Sequence, residues 1–256
     1  MAASTAPRPA PDSYMPVFKV GEAVGRSVAA CLGVPFVALS HQEGHIWAGL
    51  WSSGRSQATG VPADLIVLHA SGGTTELVRA ETLPGGRFQV TRLGGTEDLN
   101  AGQFIDRIGV ALGLPFPAGP HLETLAATGD PRAVRLPVAV RPGRVSFSGP
   151  ATAALRALER GVSPADLAAA AQECAAESLA RLVGAVAGSA SGSAAFLGVG
   201  GVLANARVRE RIAQELAARG LDAWFAAPAH SVDNAVGVAF AAVQAVRDSE
   251  RTAGSA

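Results

Sequence analysis

The sequence predicts an α/β layer fold around a mostly buried sheet, and three observations predict it. Helix-spaced apolar segments alternate with short apolar runs of strand length: Phe36–Leu39, Leu65–Leu68 and the run ending at Leu197 and Gly198. Of the 256 residues 48% are hydrophobic and 16% charged, which fills a real core and excludes a disordered or fibrous chain. Glycine-rich turns follow two of the apolar runs, as expected where buried strands hand over to other elements.

In chain order, residues 1–14 are rich in Ala, Pro and Ser and predict a flexible, solvated lead-in. Val20, Ala23, Val24, Val28 and Leu32 recur at helical spacing, and Gly33 with Pro35 supplies the stop. The strand Phe36–Leu39 follows, then a helix from His41 to a Ser/Gly loop near Ser52, then the buried strand Leu65–Leu68. The SGGTTEL segment turns the chain between strand-like runs; Phe88–Leu93 alternates as a strand, and Leu99–Leu112 is periodic as a helix. Residues from Leu114 to Pro120 read as a Pro/Gly loop. Alanine-rich helices are expected over Ala151–Arg160 and Pro164–Val186, then a short strand, a glycine turn, a helix Asn205–Arg219 and a last helix Ser231–Val246. Residues 247–256 read as a flexible tail.

The 21 basic and 21 acidic residues cancel, so net charge announces neither a nucleic-acid nor a membrane surface. Cys31 and Cys174 lie far apart within apolar helical patterns and read as small buried hydrophobes rather than a disulfide or zinc framework. The N-terminus has no basic region leading into an apolar stretch, and no window reaches a membrane span, so a cytoplasmic protein is expected.

Several constellations are suited to chemistry. In SHQEGHIWAGL, His41 and His45 are four residues apart, so on a helix both imidazoles share one face at metal-ligand spacing. A histidine pair with ordinary hydrogen bonds has the same spacing and carries equal weight. A zincin would need glutamate directly after the first histidine; here that position is Gln42, and Glu43 points away from the shared face. Two histidines leave a metal under-coordinated, and Asp233 in HSVDNAVG is a candidate third ligand. The turn Ser71-Gly72-Gly73-Thr74 either converges amides on a phosphate or is simply a hairpin. The turn Gly198–Val202 precedes Asn205 at a helix start but lacks dinucleotide-fingerprint spacing. Asp106, between Ile105 and Arg107, either faces a cleft or forms a solvated pair.

Taken in order, SYMPVF-KVG, SHQEGH, SGGTTEL, AGQFIDR with GLPFPAGP, VSFSG-ATAAL, GVGGVLANARVRERI and SVDNAVGVA resemble the TsaD family, formerly described as O-sialoglycoprotein endopeptidases, from about Tyr14 to Ala242. The resemblance implies the sugar-kinase/Hsp70/actin architecture, with two related lobes closing on a nucleotide and a metal. Residues 15–60 would be a remnant of the first lobe, lacking its opening strands, and 61–246 the complete second, nucleotide-binding lobe.

The resemblance also implies transfer of threonylcarbamoyl from its adenylate to the adenosine beside the anticodon of tRNA. It implies one divalent metal, iron, zinc or manganese, on His41, His45 and Asp233. An adenylate-type ligand would meet Asp106, Gly119 and Asn205, with Ser71, Gly72, Gly73 and Thr74 at its phosphate or carbamoyl end. Implied partners are a TsaB-like paralogue and a TsaE-like ATPase, with tRNA bound through the complex and no membrane. The chain departs from the family pattern at Thr74 for histidine, Gln103 for glutamate, Arg107 for lysine, Ala118 for glycine and Ala151 for lysine. These departures keep open a non-catalytic paralogue that binds nucleotide and a partner, and the missing opening strands keep open a truncated reading frame. The peptidase reading fails at Gln42 for want of a base.

Overall fold

The computed structural model describes residues 1–55, 60–187 and 195–253; the end of the expected tail, residues 254–256, lies outside them. The chain opens with β1 (Ala2–Ala6), α1 (Pro16–Leu32), β2 (Val37–Ser40) and α2 (His41–Ser52). Three longer strands follow, β3 (Asp64–Ala70), β4 (Thr75–Leu83) and β5 (Arg87–Thr96), then α3 (Ala101–Ala111) and α4 (Gly119–Ala126). Next come β6 (Ala139–Arg141), β7 (Arg144–Ser146), α5 (Ser148–Glu159) and α6 (Pro164–Ala187). The chain ends with β8 (Ala195–Val199), α7 (Ala206–Ala217), β9 (Ala223–Phe225) and α8 (Val236–Ala253). A two-stranded sheet pairs β1 with β2, and a seven-stranded sheet runs β6-β7-β5-β4-β3-β8-β9.

Two compact units emerge: Met1–Leu65 with Arg79–Thr91 and the chain from Ala226, and Ile66–Val78 with Arg92–Phe225. Along the chain the first unit runs unbroken to Leu65, and the last helix, α8, groups with it. In the first unit β1 lies parallel to β2, with Ala2 opposite Val37. The Ala/Pro/Ser-rich composition predicts a solvated lead-in, yet residues 2–6 form a strand because β2 supplies a pairing partner. The expected flexible tail is likewise helical as far as Ala253.

α1 starts four residues before the expected helix, with Pro16 in its first turn, and ends where expected at Gly33 in the left-handed region. Its buried residues are Gly25 and Ala29. The apolar row that predicted the helix is open: Val20 and Val24 are 67% and 59% exposed, and Val17 and Leu32 are open as well.

In the second unit one core gathers Leu68, Leu77, Phe104, Ile108, Phe147, Leu179, Phe196, Leu203 and Ile212. At about 1.5–3 kcal/mol per buried large side chain, such a cluster is the main stabilising term of the unit. The alanines of α6, Ala168, Ala171, Ala175 and Ala176, are buried and let neighbouring helices approach closely. The region read as a Pro/Gly loop ends in α4, whose first turn contains Pro120. β6, β7 and β9 have three residues each, too short for a periodic signal. Cys174 is buried as expected, but Cys31 is exposed on the open face of α1.

Candidate functional site

Ser40 ends β2 and caps α2: its Oγ accepts from the Glu43 amide at 3.2 Å, while the Glu43 carboxylate accepts from the Ser40 amide at 2.7 Å. The cap makes His41 the first helical residue and places His45 one turn on, with ring centroids 4.6 Å apart. Phe18 of α1 packs against the His41 ring at 5.5 Å.

Asp233 comes from the turn before α8. Asn234 shapes that turn by donating to Val232 O at 2.7 Å and accepting from the Val236 amide at 2.9 Å. Two glycines bring the helices together: a Cβ on Gly237 would collide with the Gly44 carbonyl. The glycines in HQEGH and DNAVG therefore serve the approach that lets Asp233 meet the histidines.

His41 Nε2 and His45 Nε2 lie 3.2 Å apart, and Asp233 Oδ1 is 3.4 Å from the first and 3.2 Å from the second. Ligand bonds of about 2.0–2.1 Å in a tetrahedral shell separate neighbouring ligand atoms by roughly 3.3 Å. The three atoms thus fit one face of a coordination shell around a single small divalent ion. His45 is 7% exposed and Asp233 82%, so the remaining positions open outward. Burial holds the His45 imidazole below its usual pKa; the charge of His41 lowers it further and Asp233 opposes this. A neutral imidazole is the form that binds a metal.

The residues expected at a nucleotide all lie in the second unit and are joined by a chain of contacts. Ser71 to Thr74 turn between neighbouring strands β3 and β4, closed by the Ser71 amide donating to Thr74 O at 2.7 Å, as a hairpin requires. The Gly73 and Thr74 amides donate inward to Ser71 Oγ at 3.3 and 3.1 Å, while Gly72 and Gly73 are exposed. Against this turn sits the start of α3: the Gly102 amide donates to Ser71 O at 3.2 Å and the Ala101 amide to Thr75 Oγ1 at 2.8 Å.

One turn along α3, Asp106 Oδ1 accepts from the Ala118 amide at 2.8 Å, holding the loop that leads into Gly119 at the start of α4. The carboxylate does not pair with Arg107. Glu123 of α4 accepts from the Ala206 amide at 2.8 Å, and Asn205 caps α7 by accepting from Val208 at 3.1 Å and from Gln172 at 3.0 Å. Sequence reasoning missed Thr75, Glu123 and Gln172; only the fold shows what they hold. Gln103, a departure from the family pattern, completes a capping box with Asn100.

The fold defines an α/β protein of the actin-like ATPase type, to which the chain brings a His-His-Asp group. Among solved structures it is similar to HypF of T. kodakarensis, with a TM-score of 0.68 at 16% identity over 97% of this chain and 40% of that one. It is also similar to full-length HypF in a phosphate- and nucleotide-bound form, with a TM-score of 0.62 at 12% identity over 86% of this chain and 37% of that one. Residues 13–240 match the family described as TsaD, tRNA N6-adenosine threonylcarbamoyltransferase, and the chain belongs to that family.

Curated relatives of that name include one from Methanopyrus kandleri, 34% identical over 89% of this chain and 63% of the relative. Another, from Thermus thermophilus, is 38% identical over 87% of this chain and 65% of the relative. The chain thus spans less than two thirds of the length of these relatives. No helix among the described residues is long and apolar enough to cross a membrane.

Proposed function

We propose that the chain is a metal-dependent transferase, moving threonylcarbamoyl from threonylcarbamoyl-adenylate to the N6 amine of the adenosine beside the anticodon of tRNA. The observation that carries this reading is the convergence of His41, His45 and Asp233 at 3.2–3.4 Å in a chain of the TsaD family. These three residues would hold the divalent ion, which when bound supplies a Lewis acid for the carbonyl under attack. The amine nitrogen forms a bond to the carbamoyl carbon, the bond from that carbon to the phosphate oxygen breaks, and the amine proton departs with solvent or the leaving adenylate. Asp106, with Oδ1 committed to Ala118, offers Oδ2 to ribose hydroxyls; Gly119 and Asn205 would complete the nucleotide contacts, and the exposed glycines of the Ser71–Thr74 turn leave backbone for the phosphate end.

The proposed partners are a TsaB-like paralogue and a TsaE-like ATPase, with tRNA reaching the chain through that complex in the cytoplasm. The open apolar row of α1, Val17, Val20, Val24 and Leu32, supports a protein partner on that helix. The test is transfer of labelled threonylcarbamoyl to tRNA by the chain with those partners and each candidate metal, beside the His45→Ala variant. Turnover lost in the variant supports the transferase. A stable complex without turnover would favour the non-catalytic paralogue, a reading motivated by Thr74 in place of the family histidine.

A further inference from the structure

We infer that Glu43 is a positioning residue for the metal-binding helix, acting with Arg87 and Phe88 at the start of β5. Glu43 lies between the two histidines in sequence, is fully buried, and has no contact with the three convergent ligand atoms. Its carboxylate instead gathers four donors from two elements. Oε2 accepts from the Ser40 amide at 2.7 Å and Ser40 Oγ at 2.8 Å; Oε1 accepts from Arg87 Nε and the Phe88 amide, each at 3.0 Å. Each of these contacts donates to the carboxylate, whose two oxygens accept two apiece, whereas an amide offers a single oxygen. Glutamine keeps one acceptor oxygen, so its NH2 group faces the backbone amide of either Ser40 or Phe88 and leaves that buried N–H unpaired.

The bonds act at the place that sets the metal geometry. Those to Ser40 fix where α2 begins, hence that His41 is its first residue, and those to β5 fix the rotation of the helix about its axis. One turn along, Trp47 Nε1 donates to the Gly86 carbonyl at 2.8 Å, so the β4–β5 turn grips α2 at two points. A rotation of about 10–20° exceeds the tolerance of a preorganised site and would move His41 and His45 away from Asp233 together.

The inference rests on the metal reading of His41, His45 and Asp233. Its test is Zn2+ affinity, measured by competition with a chromophoric chelator, for the wild type, Glu43→Gln and Arg87→Met. Circular dichroism and thermal melting show that each protein is folded at the assay temperature. Glu43→Gln is expected to bind Zn2+ about 10–100-fold more weakly while folded, the range for residues that orient metal ligands. Arg87→Met keeps the cap and the Phe88 amide bond but loses the guanidinium link to β5, so it is expected to bind several-fold more weakly, and it carries the test if Glu43→Gln does not fold. Wild-type binding with unchanged affinity in the folded variants overturns the inference alone; a folded wild type that takes up no Zn2+ overturns the metal reading and the inference with it.

Discussion

Cys31 and Cys174 have similar helical sequence surroundings yet opposite environments. Cys31 lies on the open face of α1, while burial pushes the Cys174 thiol up to about 11 and its Sγ donates to Pro137 O at 3.4 Å. A maleimide reagent is therefore expected to label Cys31 within minutes in the native protein and Cys174 only after unfolding. Peptide mapping of the labelled chain checks this, and native labelling at Cys174 would contradict the packing of α6. At this same scale part of the candidate site's geometry was legible. The four-residue spacing of the histidines and the need for a third ligand pointed to Asp233, and the three side chains do converge. The burial of Glu43 and the engagement of Asp106 by Ala118 were not legible, because both depend on backbone amides brought in from other elements.

Helices and strands explain what periodicity alone misreads. The row Val20, Val24, Val28 and Leu32 predicts a helix correctly, yet that row is open and α1 buries its small face, Gly25 and Ala29. Replacing Val20 and Val24 together with aspartate is thus expected to change the melting temperature by less than about 2 °C, since exposed positions carry little stability. The same pair is expected to abolish capture of a TsaB-like partner in a co-purification assay.

At the start of α3 the opposite holds. A Cβ on Gly102 would lie 2.6 Å from both Gly72 N and Ser71 O, so Gly102→Ala is expected to cost about 1–3 kcal/mol in chemical denaturation.

Asp98 links the end of β5 to the start of α5. Burial pushes its carboxyl up, but hydrogen bonds from the Ser146 hydroxyl and the Phe147, Leu99 and Ser148 amides outweigh burial and hold it well below the usual carboxylate range. A carboxyl lowered in the folded state stabilises above its unfolded pKa of about 4 and loses that stabilisation as pH falls further. The stability gap between wild type and Asp98→Asn should be constant from pH 7 to about 5 and narrow below about 4 in denaturant titrations. A gap that widens on acidification would contradict this assignment.

For the whole molecule, alternation of helices with apolar runs sufficed for the α/β class, and strong hydrophobic segments such as Leu65–Leu68 fell where expected. What escaped was carried by pairing between strands: β1 is ordered by β2, β7 by β5, β6 by β7 and β9 by β8. With 21 basic and 21 acidic residues, the chain alone is expected to bind tRNA no more tightly than micromolar at about 0.15 M salt. A filter-binding titration checks that affinity, and nanomolar binding without partners would show that the complex is not needed for tRNA capture.

The central claim is that His41, His45 and Asp233 form a metal centre. Calorimetric titration of the metal-free protein with Zn2+, beside His45→Ala and Asp233→Ala, tests it most directly. The predicted result is one equivalent bound by the wild type, no saturable binding by His45→Ala and markedly weaker binding by Asp233→Ala. A folded wild type that binds no metal, or variants that bind as the wild type does, would contradict it.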